Sequence, residues 1–203
     1  MTAARRQDAQ VPAMTVEAFL DWPGDGTGRK FELVDGVPRA MAPASMDHGV
    51  IRGNVVTAFN NHFRGADMRC RAATEGPVVP PFKSRINAWA PDVVVTCTPP
   101  STSRVADEPL LIVKLLSPSN EDETWACIRA LAGLRSLQEI VAVWSTRVEA
   151  EVYRRTPAGD WPTEPETIGP GGIVHLASIG LHLPIAEVYR MTLLAEAAGG
   201  APP

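Results

Sequence analysis

Lysine is nearly missing from this 203-residue chain: Lys30, Lys83 and Lys114 stand against 16 arginines. Together with 23 acidic residues this gives a formal net charge of −4, which excludes a uniformly basic nucleic-acid-binding protein. Contact with nucleic acid would need a local patch. Arginine suits one, because its planar fork grips phosphate at two points, although the excess also fits a GC-rich coding sequence. Cysteine is sparse too. Cys70, Cys97 and Cys127 are odd in number, widely spaced and form no Cys-x-x-Cys pair. Neither a disulfide framework nor a zinc site is expected from them, but buried free thiols in a reducing compartment. No apolar run reaches the roughly 18 residues of a membrane span. The N-terminus shows no charged-then-apolar leader pattern. The expectation is a cytoplasmic protein with no membrane partner.

What is present is an ordinary globular balance, 45% hydrophobic and 21% charged. The length suits one compact domain, expected over 14–196, with flexible ends at 1–13 and 197–203. Two stretches organise the chain: Ala90-Pro91-Asp92-Val93-Val94-Val95, and Leu110 to Ser119 with Lys114 at its centre. Each is an apolar run carrying one charge where a buried strand tolerates none unless it is paired or binds a metal.

Around these stretches the patterning predicts a mixed α/β protein. Residues 14–20 form a short helix capped by Thr15. Phe31 to Met41 is a hairpin turning at Asp35-Gly36, with Pro38 marking an edge strand. A helix runs over 46–64, capped by Ser45 or Asp47, with Val50, Ile51, Val55, Ala58 and Phe59 as its apolar stripe. Strands are expected at Cys70–Thr74, Val78–Phe82, Asp92–Cys97 and Leu110–Leu116. Ser117-Pro118-Ser119-Asn120 opens a helix over 119–132 with Glu121, Asp122 and Glu123 in its first turn, where acids suit the helix dipole. Ile140–Trp144 and Val148–Arg154 make a closing hairpin. Residues 156–172 are a Pro/Gly-rich loop, 173–176 and 179–183 are short strands, and Pro184–Ala195 is a terminal helix. A mixed sheet flanked by helices follows.

Hydrolysis of a phosphodiester needs a divalent ion held by carboxylates, an activated water and a cation beside the phosphate. The Pro-Asp at the start of one strand, followed by a charged residue on the next, has that layout. Here the chain resembles the Uma-type restriction endonuclease family of the PD-(D/E)xK nuclease superfamily. The resemblance is carried by Phe31-Glu32-Leu33-Val34-Asp35-Gly36, by His48 with Ile51, and by Ala90 to Val95. It continues through Ile112 to Ser119 with its Leu-Ser-Pro-Ser signature and Glu139 to Arg154, and spans about 14–192. It implies a restriction-endonuclease-like mixed β-sheet core flanked by α-helices, with additional hairpins. It also implies Mg²⁺ (or Mn²⁺) as cofactor, DNA as partner, a homodimer, and cleavage of DNA phosphodiesters.

By this resemblance Asp92 is the metal-binding aspartate, with Glu32 as a further ligand or base. Family members usually carry glutamate where this chain has Lys114, and often a lysine in the helix after Ser-Pro-Ser. That helix has no lysine here; its nearest basic residues are Arg129 and Arg135. Lys114 then has three readings. It is the catalytic cation, with Ile112 at the acidic position of (D/E)xK; or its ammonium fills the place of the ion beside Asp92 and Glu32; or it replaces an ancestral glutamate. The last two predict poor metal binding, since an added positive charge repels the ion. Two functions follow from different classes: a metal-dependent endonuclease in which Lys114 or Arg129 stabilises charge, and an inactive nuclease-fold protein that binds DNA or a protein partner.

The remaining candidates have plainer alternatives. Glu32 could be an exposed strand residue paired with Arg29 or Lys30. His48 either orients a ligand or phosphate or caps its helix. His62, His175 and His182 share no motif. Arg52, Arg64, Arg69, Arg71 and Arg85 make the middle of the chain its most basic part, a phosphate-facing surface or a solvated one. Trp144 is a packing residue, while Trp125 is placed near the site.

Overall fold

The structure is a computed structural model and describes residues 13–199. Its core is a six-stranded sheet ordered β3-β4-β5-β6-β7-β8: Arg71–Thr74, Val93–Thr96, Pro109–Leu116, Glu139–Trp144, Ala150–Arg154 and Glu166–Ile168. Only β5 and β6 run parallel. A parallel pair needs a crossover, which is supplied by the helix α3 (Glu121–Leu131). β5 and β6 are buried almost throughout, as their unbroken apolar sequences require.

The two faces of this sheet are sorted by the two-residue period of a strand. Val93, Val95, Leu111, Val113, Leu115 and Val141 face α2 (Met46–Gly65), which packs Ile51, Val55, Phe59 and Phe63 against them. Val94, Ile112, Leu116, Ile140 and Ala142 face α3, which offers Cys127, Ile128 and Leu131. Lys114 falls between Ile112 and Leu116, and so on the α3 face. The antiparallel register pairs Val93 with Val113 and Val94 with Ile112. One further step sets Asp92 opposite Lys114.

The hairpin β1 (Phe31–Val34) and β2 (Val37–Ala40) turns at Asp35-Gly36 and forms its own two-stranded sheet. Asp35 and Gly36 both adopt positive φ (52° and 75°), as a turn matching strand twist requires. A Cβ at Gly36 would also lie 2.4 Å from that of Ala13, so glycine is required twice over. The hairpin leans on the rest of the fold through Leu33, fully buried and bridged to Ala88. The helix α1 (Val16–Asp21) is capped by Thr15, and α2 by the Ser45 hydroxyl, which accepts from the His48 N–H at 3.2 Å.

Several expectations are corrected. Val78 makes only an isolated bridge to Trp89, and residues 81–86 turn, because Pro80 and Pro81 offer no backbone donors for a strand. The loop 156–172 contains β8, which closes the sheet against β7. After the hairpin β9 (Ile173–Leu176) and β10 (Leu181–Pro184), the terminal helix is one turn, α4 (Ile185–Val188). The Asn54 carboxamide donates to Val188 O and Arg190 O, and Met191 takes φ +60°, which together end the helix. The expected flexible ends fall largely outside the described residues, but Ala198 is fully buried in the core.

The thiols are also corrected. Cys70 and Cys97 extend the register of β3 and β4 by one pair, since Arg71 faces Thr96, and are joined as a disulfide. Spacing along the chain gave no sign of this, because the pair is made by strand register. Cys127 remains a buried free thiol. No described helix is long and apolar enough to cross a membrane. The disulfide closes a separation of 27 residues, and such a closure contributes about 3 kcal/mol by restricting the unfolded chain. Reduction should therefore lower the denaturation midpoint, and thiol titration of the unfolded, unreduced chain should find Cys127 alone. A full complement of three reactive thiols would contradict the pairing.

Candidate functional site

Asp92 lies just before β4, where the sheet opens toward the N-terminus of α2. It is 4% exposed, so each of its oxygens must find a partner inside the protein. Oδ1 accepts from His48 Nε2 at 2.9 Å, and Oδ2 accepts from the Leu115 N–H at 2.8 Å. Lys114 Nζ stands 3.7 Å from Oδ2, an ion pair too long to be a hydrogen bond. It also reaches toward Ala90 O at 3.5 Å. Glu32 comes in from β1, and its Oε1 accepts from the Ala90 N–H at 2.9 Å. The hairpin thus carries one carboxylate to the strand end that carries the other.

Charge states follow from this packing. Burial pushes the Asp92 carboxyl up, but the His48 hydrogen bond, the Lys114 charge and the Leu115 N–H together hold it below the ordinary aspartate value. Burial likewise pulls Lys114 down. The surrounding groups, Cys127, Asp92 and Glu32, outweigh this and move it above the ordinary lysine value. The Cys127 thiol is itself driven far up by burial and stays neutral, so the two carboxylates are what keep the ammonium charged. Glu32 moves the other way. Burial raises its carboxyl, and Lys114 and the Ala90 N–H offset that only partly.

These groups line a cavity of about 230 Å³ between the β1–β2 hairpin, the N-terminus of α2 and the start of α3. Its cations are Arg39, Arg52 and Lys114; its carboxylates are Glu32, Glu75, Asp92 and Glu123. Ser117, Ser119 and Asn120 of the Ser-Pro-Ser-Asn turn form one wall. Asn120 does not cap α3 with its side chain. Its carboxamide instead accepts from the Ser117 N–H at 2.8 Å and donates to Leu115 O at 3.2 Å, locking the turn onto the end of β5.

The donor set does not fit a divalent ion. Magnesium and manganese need carboxylate oxygens directed at an open point. Here both oxygens of Asp92 are engaged, and an ammonium stands 3.7 Å from one of them. Among the described residues no three His, Cys, Asp or Glu side chains converge to hold a metal.

Of the residues singled out in the sequence, Asp92, Lys114, Glu32 and His48 meet in this cleft. The cap of α2 is Ser45, to which His48 donates only its backbone N–H, while the His48 ring holds Asp92. Glu32 is not paired with Arg29 or Lys30, which bind Asp25 and Glu75 instead. Arg129 does not join the site. It is exposed on α3 and outside the cavity lining, because the inward positions of that helix belong to Thr124, Cys127, Ile128 and Leu131. Trp125 packs edge-on against Tyr153 at 6.2 Å and does not line the cavity, whereas Trp89 does. The basic middle of the chain is divided. Arg71 donates to Thr98 O, and only Arg52 reaches the cleft. Arg39 and Glu75 are cleft residues that no pattern along the chain singles out, since Arg39 depends on the hairpin twist and Glu75 on a turn.

Removing one member of a buried ion pair leaves the other charge uncompensated, at about 3–5 kcal/mol. Asp92→Ala should lose on that order in urea denaturation, with Asp92→Ala/Lys114→Met recovering much of it. A double variant no more stable than Asp92→Ala would contradict the coupling. The two carboxyls also differ in pH dependence. Asp92, held low, contributes stability that is present above the ordinary aspartate range and is lost as pH falls through its folded value. Glu32, held high, favours the folded state when protonated, so its ionisation lowers stability as pH rises. Glu32→Gln should accordingly be more stable than wild type at pH 7, and Asp92→Asn should flatten the acid limb of the stability profile.

Comparison with known proteins agrees with this fold. The Uma2 family model, described as "Putative restriction endonuclease", matches residues 16–186. The uncharacterized protein slr1290 of Synechocystis sp. (strain ATCC 27184 / PCC 6803 / Kazusa) is 31% identical over 190 residues. That match covers 92% of this chain and 97% of the relative. A crystal structure from Anabaena variabilis ATCC 29413, described as a "putative nuclease belonging to DUF820", superposes with a TM-score of 0.68 at 20% identity. It covers 87% of this chain and 97% of that one, and at this identity it speaks for the fold. With a family model spanning most of the chain and a relative aligned over nearly its whole length, the chain belongs to the Uma2 family.

Proposed function

We propose that this protein engages DNA through the cleft between the β1–β2 hairpin and the sheet, and that Lys114 has taken the place of the divalent ion there. The observation that carries this reading is the 3.7 Å approach of Lys114 Nζ to Asp92 Oδ2, with Glu32 beside it. One fixed positive charge offsets two carboxylates, the electrostatic part of what a cation does in such a site. An ammonium cannot supply the rest, because it neither polarises a bound water nor bridges attacking and leaving oxygens. The protein then holds a phosphodiester backbone without cleaving it at an appreciable rate. Family membership and nuclease-like fold support the choice of DNA as the ligand.

A second reading, metal-dependent endonuclease activity, is favoured by one observation: Glu32 and Asp92 do converge on the same cleft, from separate sheets. The two readings separate in one assay. Supercoiled plasmid is incubated with wild type and Asp92→Ala in Mg²⁺ and in Mn²⁺, and binding of a labelled duplex is followed in parallel. The expected result is duplex binding with no nicking above the Asp92→Ala background. Nicking by wild type that disappears in Asp92→Ala would overturn the proposal and establish the second reading.

A further inference from the structure

We infer that Arg52 in the cleft and Lys30, which reaches Glu75 from outside the cleft lining, form a phosphate-gripping pair, and that Glu75 occupies their grip as an internal stand-in for a backbone phosphate. The inference rests on the DNA-binding reading above and concerns how that binding is controlled. Glu75 directly follows β3 and takes φ +52°, a left-handed conformation that a glutamate adopts only when its surroundings impose it. Its backbone N–H donates to Asp92 O at 3.2 Å, so its position is tied to the strand end that carries the site. From there one carboxylate takes two cations: Oε1 accepts from Arg52 Nη1 and Oε2 from Lys30 Nζ.

Arg52 lies one turn of α2 beyond His48, so both side chains leave the helix on the same face, toward the cleft. The Arg52 and Lys30 side chains are 21% and 65% exposed, which leaves both cations within reach of a ligand without unfolding. A carboxylate and a phosphate present similar paired oxygens to a guanidinium fork, so one can replace the other. Arg155, by contrast, is held by the carbonyls of Ala132, Leu134, Leu137 and Gly159.

The charge census of the cleft explains why the acid matters. With Lys30 added to the cations of the lining, four cations face four carboxylates while Glu75 is in place, and removing it leaves one cation in excess. Its effect is therefore to hold off loosely placed polyanions until a phosphate displaces it and the carboxylate turns out to water. What is exchanged is one ion pair for another, so the two cations stay paired throughout.

The test is fluorescence anisotropy of a short labelled duplex with wild type, Glu75→Gln and Arg52→Gln over a salt series, after melting curves confirm folding. Glu75→Gln should bind about tenfold tighter, with the slope of log affinity against log salt steeper by about one phosphate equivalent. Arg52→Gln should weaken binding about tenfold and make that slope shallower by a similar amount. Binding by wild type with no gain in Glu75→Gln, or no loss in Arg52→Gln, would overturn the inference alone. No binding by any of the three would remove the DNA reading and the inference with it. If Glu75→Gln does not fold, Arg52→Gln decides by itself, since unchanged affinity there removes the phosphate-gripping role.

Discussion

A buried ammonium against a buried carboxylate is the constraint on which the rest of this structure turns. Lys114 sits in the most apolar strand of the chain, 7% exposed, and Asp92 faces it across the β4–β5 pair at 4%. Neither charge is tolerable alone in that position. Each is acceptable because the other is there, and because His48, the Leu115 N–H and Glu32 complete the set. The elements around the pair are those needed to deliver these groups: α2 brings His48, the separate β1–β2 hairpin brings Glu32, and the locked Ser-Pro-Ser-Asn turn fixes the end of β5.

The same packing decides what the site can do. In a nuclease of this fold the charge on the carboxylates is balanced by an ion that also carries out chemistry. Here a core ammonium, that of Lys114, stands 3.7 Å from Asp92. The cleft keeps its shape, its hydroxyl-lined wall and its arginines, yet it is slightly acidic.

Much of this was legible in the sequence, for identifiable reasons. Asp92 and Lys114 announce themselves as charges inside apolar runs, and α2, α3, the β1–β2 hairpin and the central strands follow from periodicity, caps and the Asp-Gly turn. The Leu-Ser-Pro-Ser signature pointed to the family. Contacts that depend on register or on tertiary placement were out of reach. Cys70 and Cys97 look unrelated until β3 and β4 are paired, and Arg129 looked available until α3 was rotated onto the sheet. The terminal helix stops after one turn because Asn54, more than 130 residues away, captures its carbonyls. Glu75 carries no signal at all along the chain, since its importance comes from two cations brought to it by a helix and a loop.

The central claim is that Lys114 excludes the divalent ion from an otherwise assembled pair of carboxylates. Calorimetric titration with Mn²⁺ of wild type and Lys114→Glu tests it most directly. Exchanging the ammonium for a carboxylate removes the repulsion and adds a hard oxygen donor, so the account predicts no saturable binding by wild type. Lys114→Glu should bind one ion and lose it on further change of Asp92→Asn. Saturable Mn²⁺ binding by wild type that depends on Asp92 would contradict the account.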